Sequence, residues 1–534
     1  MATVIINNEE IELPEGERLN GIQAARLAGV EIPHYCWHPG LSVVASCRMC
    51  LVESGRKDPE SGDVSMIPKL VPACQTPATD GTVFVTDSEK VKQARAMVEE
   101  DLLIRHPIDC PICDKAGECS LQDYHFEHGQ GARRADLKPF TSRRRPMGDT
   151  VTLFVDRCVM CTRCVRFTRE ITGTSELMVV NRGAHEEIDV FPGFPLDNKL
   201  SGNVVDLCPV GALGDKDFLY SQRVWFMQSQ PHVCAGCATG CSINVDANQD
   251  RVYRLKPREN PHVNGWWMCD DGRYGFKYLH ADERVTIAER ENSDGQYAHL
   301  EWPDFIQNIE EALRKAGSLA LVLSPFLTVE EAYLLGKFVR GIDPQALLVA
   351  GPIPQEGEDE TFPNGFTIRA EKCPNRRGVE AVISGLQQKI ISWDEFVPDG
   401  LGAVWFAGGY RAAWHDDQAA TRFESVPLKI VQDLFASPLW ETAQFRLPGV
   451  GFAERAGSFV NATDRLQSFD WAIRPPAGAM SEGQLTWQLM GRSGLYRPQE
   501  VLRELASEVA YFHVALEEVP AVGVDLKINQ MVGA

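Results

Sequence analysis

His106-Pro-Ile-Asp-Cys110-Pro-Ile-Cys113-Asp-Lys-Ala-Gly-Glu-Cys119 carries one imidazole and three thiols at H-x3-C-x2-C-x5-C spacing. The Cys-x2-Cys loop points two sulfurs at one centre, and Gly117 lets the backbone turn back to deliver a third. Pro107 and Pro111 stiffen the segment and disfavour helix in the residues just before them. Most iron–sulfur clusters take four thiolates, so on this stretch alone a Cys3His zinc site competes with an iron–sulfur cluster. The flanking sequence breaks the tie.

Of the 16 cysteines, 15 precede residue 270 and only Cys373 lies beyond. They fall into four spaced groups in a chain of 534 residues, far larger than a stapled secreted domain. That pattern fits ligands in a reducing compartment better than disulfides. On length there is room for about three to five domains. The formal net charge of −21 argues against nucleic acid or an anionic membrane surface as the main partner. No apolar run approaches the roughly 18 residues of a membrane span. The stretch Met1-Ala-Thr-Val-Ile-Ile6 lacks the basic region and apolar core of an export signal. Any membrane association is expected through partner subunits.

Upstream, residues 3–6 and 11–13 read as a hairpin with Asn7-Asn8 in the turn. Leu19 to Ala28 has helical apolar spacing and ends at Gly29. Cys36, Cys47 and Cys50 follow on a long loop. Residues 64–71 suggest an edge strand interrupted by Pro68 before Cys74, and residues 82–85 close the unit. Residues 1–85 therefore read as a small β-grasp ferredoxin-like domain with C-x10-C-x2-C-x23-C spacing. Its first gap is longer than the C-x4-C-x2-C of plant-type [2Fe–2S] proteins. Zinc is the alternative occupant of the four thiols. Residues 86–145 begin with a helix from Ser88 to Ile104, with Val91, Ala94, Val98 and Leu102 on its apolar face. That helix runs straight into His106 and can aim it. The basic runs Arg133 to Lys138 and Arg143 to Arg145 read either as solvated surface or as cations facing clusters or an acidic neighbour.

Downstream, residues 146–225 hold Cys158-Val-Met-Cys161-Thr-Arg-Cys164 and a remote Cys208-Pro209. A C-x2-C-x2-C run completed by a distant Cys-Pro is a [4Fe–4S] signature, and one run predicts one cluster in a ferredoxin-like domain. Residues 226–282 carry Cys234, Cys237, Cys241 and Cys269 at C-x2-C-x3-C-x27-C spacing, which suits another cubane, with a zinc ribbon as the competing reading. Beyond residue 283, apolar runs at 319–323, 347–350 and 403–406 alternate with helical patterns at 302–315, 328–339 and 482–490. This predicts an α/β domain with a largely parallel sheet. No G-x-G-x-x-G joins a strand to a helix, so no dinucleotide site is expected. His415-Asp416-Asp417 reads as an exposed helix start.

Taken together, Ser46-Cys47-Arg-Met-Cys50-Leu-Val-Glu53, His106 to Cys113, Arg157 to Phe167 and Asn203 to Leu213 resemble the large iron–sulfur subunit of respiratory complex I, the proton-pumping NADH:quinone oxidoreductase. Phe452-Ala-Glu-Arg-Ala-Gly457 through Gln467 resembles a segment of molybdopterin-dependent oxidoreductases, whose fold that subunit retains in degenerate form. The resemblance implies one [2Fe–2S] cluster on Cys36, Cys47, Cys50 and Cys74. It implies three [4Fe–4S] clusters, on His106/Cys110/Cys113/Cys119, on Cys158/Cys161/Cys164/Cys208 and on Cys234/Cys237/Cys241/Cys269. It further implies an electron relay from a flavin-bearing, NADH-oxidising subunit to a two-cluster [4Fe–4S] subunit and the quinone module. Many relatives lack the fourth cluster, so the version implied is bacterial, on the cytoplasmic side of the plasma membrane. The tail of about 255 residues is short for the family, no molybdenum is expected, and Cys373 is not expected to be a ligand.

Two rival readings follow from the same residues. The catalytic subunit of an NAD-linked formate dehydrogenase shares the first two cluster groups. It would be expected to add a second C-x2-C-x2-C run and an intact pterin pocket. A zinc-stapled scaffold without redox activity is the other.

Overall fold

The computed structural model describes residues 2–132, 134–135, 137–138, 143–183, 185–413 and 417–527. The helix start expected at residues 415–417 therefore lies partly outside the described residues, as do Arg133 and Asp136 of the first basic run. Asp417 itself opens the short helix Asp417–Arg422. Two compact units are present, Met1–Phe226 with Phe362–Asn364, and Met227–Thr361 with Gly365–Ala534. Among the described residues no helix is long and apolar enough to cross a membrane.

In the first unit, Thr3–Ile6 pairs antiparallel with Glu9–Glu12 through Asn7 and Asn8, whose φ values of 50° and 73° suit the tight turn. The returning strand begins at residue 9, so Glu9 and Glu10 join the edge that the apolar pattern started at residue 11. Thr3–Ile6 also lies parallel to Thr82–Val85, which pairs with Leu51–Lys57. Leu51–Lys57 has a polar second half that hides it from periodicity, and it is the central strand that carries Val64–Met66 and Val71–Pro72. The single edge strand expected over 64–71 is split in two around Pro68, which has no N–H for a ladder. Helix Gly21–Leu27 is closed by an Asn20–Gln23 capping box, and Gly29 follows at φ 70°.

Helix Glu89–Arg105 is capped by Ser88, as its sequence requires. Its buried face is not the expected apolar one, because Arg95 and Glu99 are buried with Val91 and Ala96. Its neighbours are helix Ser120–His128 and strand Leu51–Lys57. The Tyr35 hydroxyl donates to Glu99, and burial holds the Glu99 carboxyl up at about 7. Arg143 and Arg145 tie down the hairpin Leu177–Val180/Glu187–Val190. Arg143 bonds Asp156 at 2.8 Å and Glu187 at 2.9 Å, and Arg145 bonds Glu187 at 2.6 Å and Asp189 at 2.9 Å.

The second unit begins with the three-stranded sheet Gln228–Val233, Ser242–Asn248 and Arg251–Pro257. An eight-stranded sheet follows. Its parallel body runs Phe445–Pro448, Leu428–Asp433, Ala403–Ala407, Leu319–Leu323, Leu347–Ala350, Ile391–Ser392. An antiparallel hairpin, Glu289–Glu291 with Tyr297–His299, closes one edge. Apolar cores cover both faces of the parallel body, as expected of a sheet whose strands read as unbroken apolar runs. Helix Val329–Ile342 starts at a Thr328–Glu331 capping box, and Ser481 caps Glu482–Leu489. Leu428–Asp433 and Phe445–Pro448 carry Lys, Gln, Asp and Arg inside the sheet, which is why their apolar runs were too short to read.

Candidate metal centres

Cys36, Cys47, Cys50 and Cys74 meet above the first sheet. Ala45 at φ 50° and Arg48 at φ 62° curl the loop that presents Cys47 and Cys50. The Ala73 N–H donates to the Cys50 carbonyl at 2.9 Å, drawing Cys74 to the same spot. The thiols share hydrogen bonds, Cys36 with Cys47 and Cys74, and Cys50 with Cys74. Donation from their neighbours holds Cys36 and Cys50 below the usual thiol range, while the donors Cys47 and Cys74 are held above it. All but Cys47 are buried.

His106 is the C-cap of helix Glu89–Arg105, so the helix does aim it. Cys110–Ile112 forms one 3-10 turn, Gly117 sits at φ 88°, and Cys119 precedes helix Ser120–His128. The four side chains line one pocket, together with Asp109, Arg157 and Gly211. Burial, then the Arg157 charge, lowers His106 to about 4, so its imidazole is neutral at physiological pH. Burial raises Cys119 to about 11 and raises Cys113 as well. Arg157 bonds Asp109 at 3.0 Å and stacks on Phe154 at 4.1 Å. A Cβ on Gly211 would lie 2.1 Å from Cys113 Sγ. Cys110 is exposed.

Cys158, Cys161, Cys164 and Cys208 line a second pocket, walled by Leu153, Ile188, Val210 and Leu213. Met160 and Thr162 take left-handed φ values of 49° and 58°, folding the run so that its thiols face inward. Cys164 lies in the first turn of helix Arg163–Glu170, and Cys208 caps Asn203–Leu207 from its C-terminal end. Burial raises Cys161 to about 11 and Cys158 and Cys164 further.

In the second unit, Cys234 and Cys241 are joined by a backbone bond of 2.8 Å at the mouth of the three-stranded sheet. Cys234, Cys237 and Cys269 all lie close enough to Cys241 to raise its thiol, after burial. The Gly236 N–H donates to Cys234 Sγ and the Gly272 N–H to Cys269 Sγ, each at 3.3 Å. Gln467 and Asn461 prop this loop from behind, donating to the Gly240 carbonyl at 2.8 Å and the Thr239 carbonyl at 3.1 Å. Cys373 joins none of these groups. It is buried against Phe326 and Tyr410.

In two groups the four side chains line one pocket. Buried thiols held well above their usual range must release protons when a cationic core binds. The groups can therefore hold iron–sulfur clusters, and backbone N–H donors already point at sulfur.

The sequence singled out the candidate ligands. It did not single out Gly211, Arg163 or Arg166, or Asn461 and Gln467 as props. Gly211 stands three residues after Cys208, and a glycine so close to a ligand was the available signal.

Family models match four stretches: a 2Fe-2S iron-sulfur cluster binding domain over residues 1–89 and an NADH-ubiquinone oxidoreductase-G iron-sulfur binding region over 95–134. An NADH-quinone oxidoreductase subunit 3 ferredoxin-like domain matches 148–214, and a molybdopterin oxidoreductase Fe4S4 domain matches 227–281. The G subunit of NADH-quinone oxidoreductase from Rickettsia felis is 35% identical over 63% of this chain and 48% of its own length. Its counterpart from Streptomyces coelicolor is 35% identical over 64% of this chain and 39% of its own. The NADH-ubiquinone oxidoreductase 75 kDa subunit of Reclinomonas americana is 33% identical over 67% and 51%. The chain thus spans about half the length of the curated relatives it matches.

Proposed function

From its homology to the G subunit of NADH-quinone oxidoreductase over 63% of its length, we propose that this chain is an electron-relay subunit of a complex I. Its partners are a flavin-bearing NADH-oxidising subunit, a two-cluster [4Fe–4S] subunit and the quinone module, and the whole complex couples the transfer to proton translocation. Cys36, Cys47, Cys50 and Cys74 hold a [2Fe–2S] cluster at the entry. Cys158, Cys161, Cys164 and Cys208 hold a [4Fe–4S] cluster next in order, and His106, Cys110, Cys113 and Cys119 hold another at the exit. Cys234, Cys237, Cys241 and Cys269 hold a third [4Fe–4S] cluster off that path, in a structural role. The domains run 1–85, 86–145, 146–225, 226–282 and 283–534, the last a degenerate molybdopterin-oxidoreductase-like domain without molybdenum. The complex works on the cytoplasmic side of a bacterial plasma membrane.

Such clusters exchange one electron with little change in geometry. The chain's own residues supply the surroundings: apolar walls around Cys158, a neutral imidazole at His106, and buried guanidinium groups beside the ligands. The observation that carries the reading is the pair of cavities in one compact unit, each lined by all four ligands of its group. Iron and acid-labile sulfide analysis with EPR of the reduced full-length chain tests it. One binuclear and three tetranuclear signals are expected. Zinc without iron or sulfide ends the relay reading, and stoichiometric molybdenum with formate oxidation transfers the chain to the dehydrogenase alternative.

A further inference from the structure

We propose that Arg166 is a counter-cation shared by the Cys36 and Cys158 cluster sites, holding both at a higher potential than their thiolates alone would set. The inference rests on the iron–sulfur reading above. Arg166 is buried, 2% exposed, on helix Arg163–Glu170. One guanidinium nitrogen donates to the carbonyl of Cys36, a ligand of the first group, and also to the carbonyl of Cys161, a ligand of the second, at 3.3 Å. The other terminal nitrogen donates to the Ser42 carbonyl in the Cys36 loop.

Every acceptor is a neutral carbonyl. Among the described residues Arg166 forms no ion pair with a carboxylate. Glu170, one turn along, spends its carboxylate on the Ser42 N–H at 2.9 Å, the Ser42 hydroxyl at 2.6 Å and Arg169. A buried cation without an anionic partner is strongly unfavourable, so the thiolate-bound clusters on its two sides are its counter-charge. Arg163 repeats the strap with a different task, joining the Trp37 carbonyl at 2.6 Å to the Leu207 carbonyl at 3.1 Å. It is less buried and bonds residues beside the ligands, so it positions the loops. A fixed positive charge favours the reduced, more negative form of each neighbouring cluster.

The test is an EPR-monitored redox titration of the full, cluster-loaded chain, as wild type and as Arg166→Lys, Arg166→Met and Arg166→Gln, with iron content measured for each. The neutral variants are expected to weaken reduction of both the [2Fe–2S] cluster and the Cys158 cluster at least tenfold, about 59 mV downward for a one-electron couple. Alternatively they lose those two clusters together. The His106 and Cys234 clusters stay as in the wild type, and Arg166→Lys keeps both affected clusters near their wild-type potentials. The proposal is overturned if the lysine variant behaves like the neutral ones, because the shape of the strap then matters and not its charge. It is also overturned if a neutral variant leaves either cluster at its wild-type potential. A wild-type chain that carries no such clusters would refute the iron–sulfur reading instead, which separates the two failures.

Discussion

Gly211→Ala should abolish the His106 cluster while leaving the other three. The added Cβ would sit 2.1 Å from Cys113 Sγ and 3.3 Å from Lys115 Cβ. Non-bonded heavy atoms are comfortable at about 3.5–4.0 Å, so the sulfur must retreat by roughly 1.5 Å. Metal–ligand distances tolerate only about ±0.2 Å. Gly211 does not use a positive φ, so the substitution is a steric test without backbone strain. Overpacking of this kind typically costs about 1–3 kcal/mol, which a domain of this size can absorb while the ligand geometry cannot. The assay is iron content and low-temperature EPR of the full chain, with Gly341→Ala as control, a helical position where a Cβ meets nothing within 4 Å. One tetranuclear signal should vanish, and it should be the same signal that His106→Ala removes. Full iron content with an unchanged spectrum in Gly211→Ala would refute the packing argument.

Three further outcomes follow from the geometry. His106→Cys replaces a neutral imidazole by a thiolate, so the potential of that one cluster should fall in a redox titration; no shift would mean that His106 is not a ligand. Glu482 is buried beside Glu331 and Arg455, and burial raises its carboxyl from 4.5 to about 8. Because the folded state holds that proton more tightly than the unfolded one, the stabilisation is complete below about pH 4.5. It drains away as pH rises through 8, by an amount on the order of a few kcal/mol. Glu482→Gln should therefore flatten the decline in melting temperature between pH 5 and 8, and parallel profiles for the two proteins would sink this assignment. Gln467→Leu removes the donor to the Gly240 carbonyl and the acceptor for the Ser242 hydroxyl at 2.8 Å. Leaving each buried group unpaired costs about 1–3 kcal/mol, so the second unit should melt earlier and the Cys234 cluster signal should broaden or disappear, with the others intact. An unaltered Cys234 signal would show that the prop is dispensable.

What could be read from sequence was whatever a short stretch of backbone settles by itself. The Asn7-Asn8 turn, the Ser88, Thr328 and Ser481 helix starts, and the apolar strands at 319–323, 347–350 and 403–406 depend on neighbouring residues. So does the turn at Gly117, whereas the left-handed residues Met160 and Thr162 show themselves only in the structure. The four candidate ligand groups were legible because thiol spacing limits which sulfurs one loop can aim at a common point, and the Cys-Pro context marked Cys208. Strands with polar interiors, Leu51–Lys57 and Leu428–Asp433, were hidden because their burial comes from distant neighbours.

Tertiary structure alone decided the surroundings of those ligands. Helix Glu89–Arg105 turns Arg95 and Glu99 inward, Glu99 onto the Tyr35 hydroxyl, against its own apolar pattern. Gly211 must be glycine because Cys113, 98 positions earlier, packs on it. Arg166 reaches across 130 positions to the Cys36 carbonyl. Spacing determines which atoms a loop can offer. Which charges and walls enclose them depends on chain segments brought together only when the fold closes.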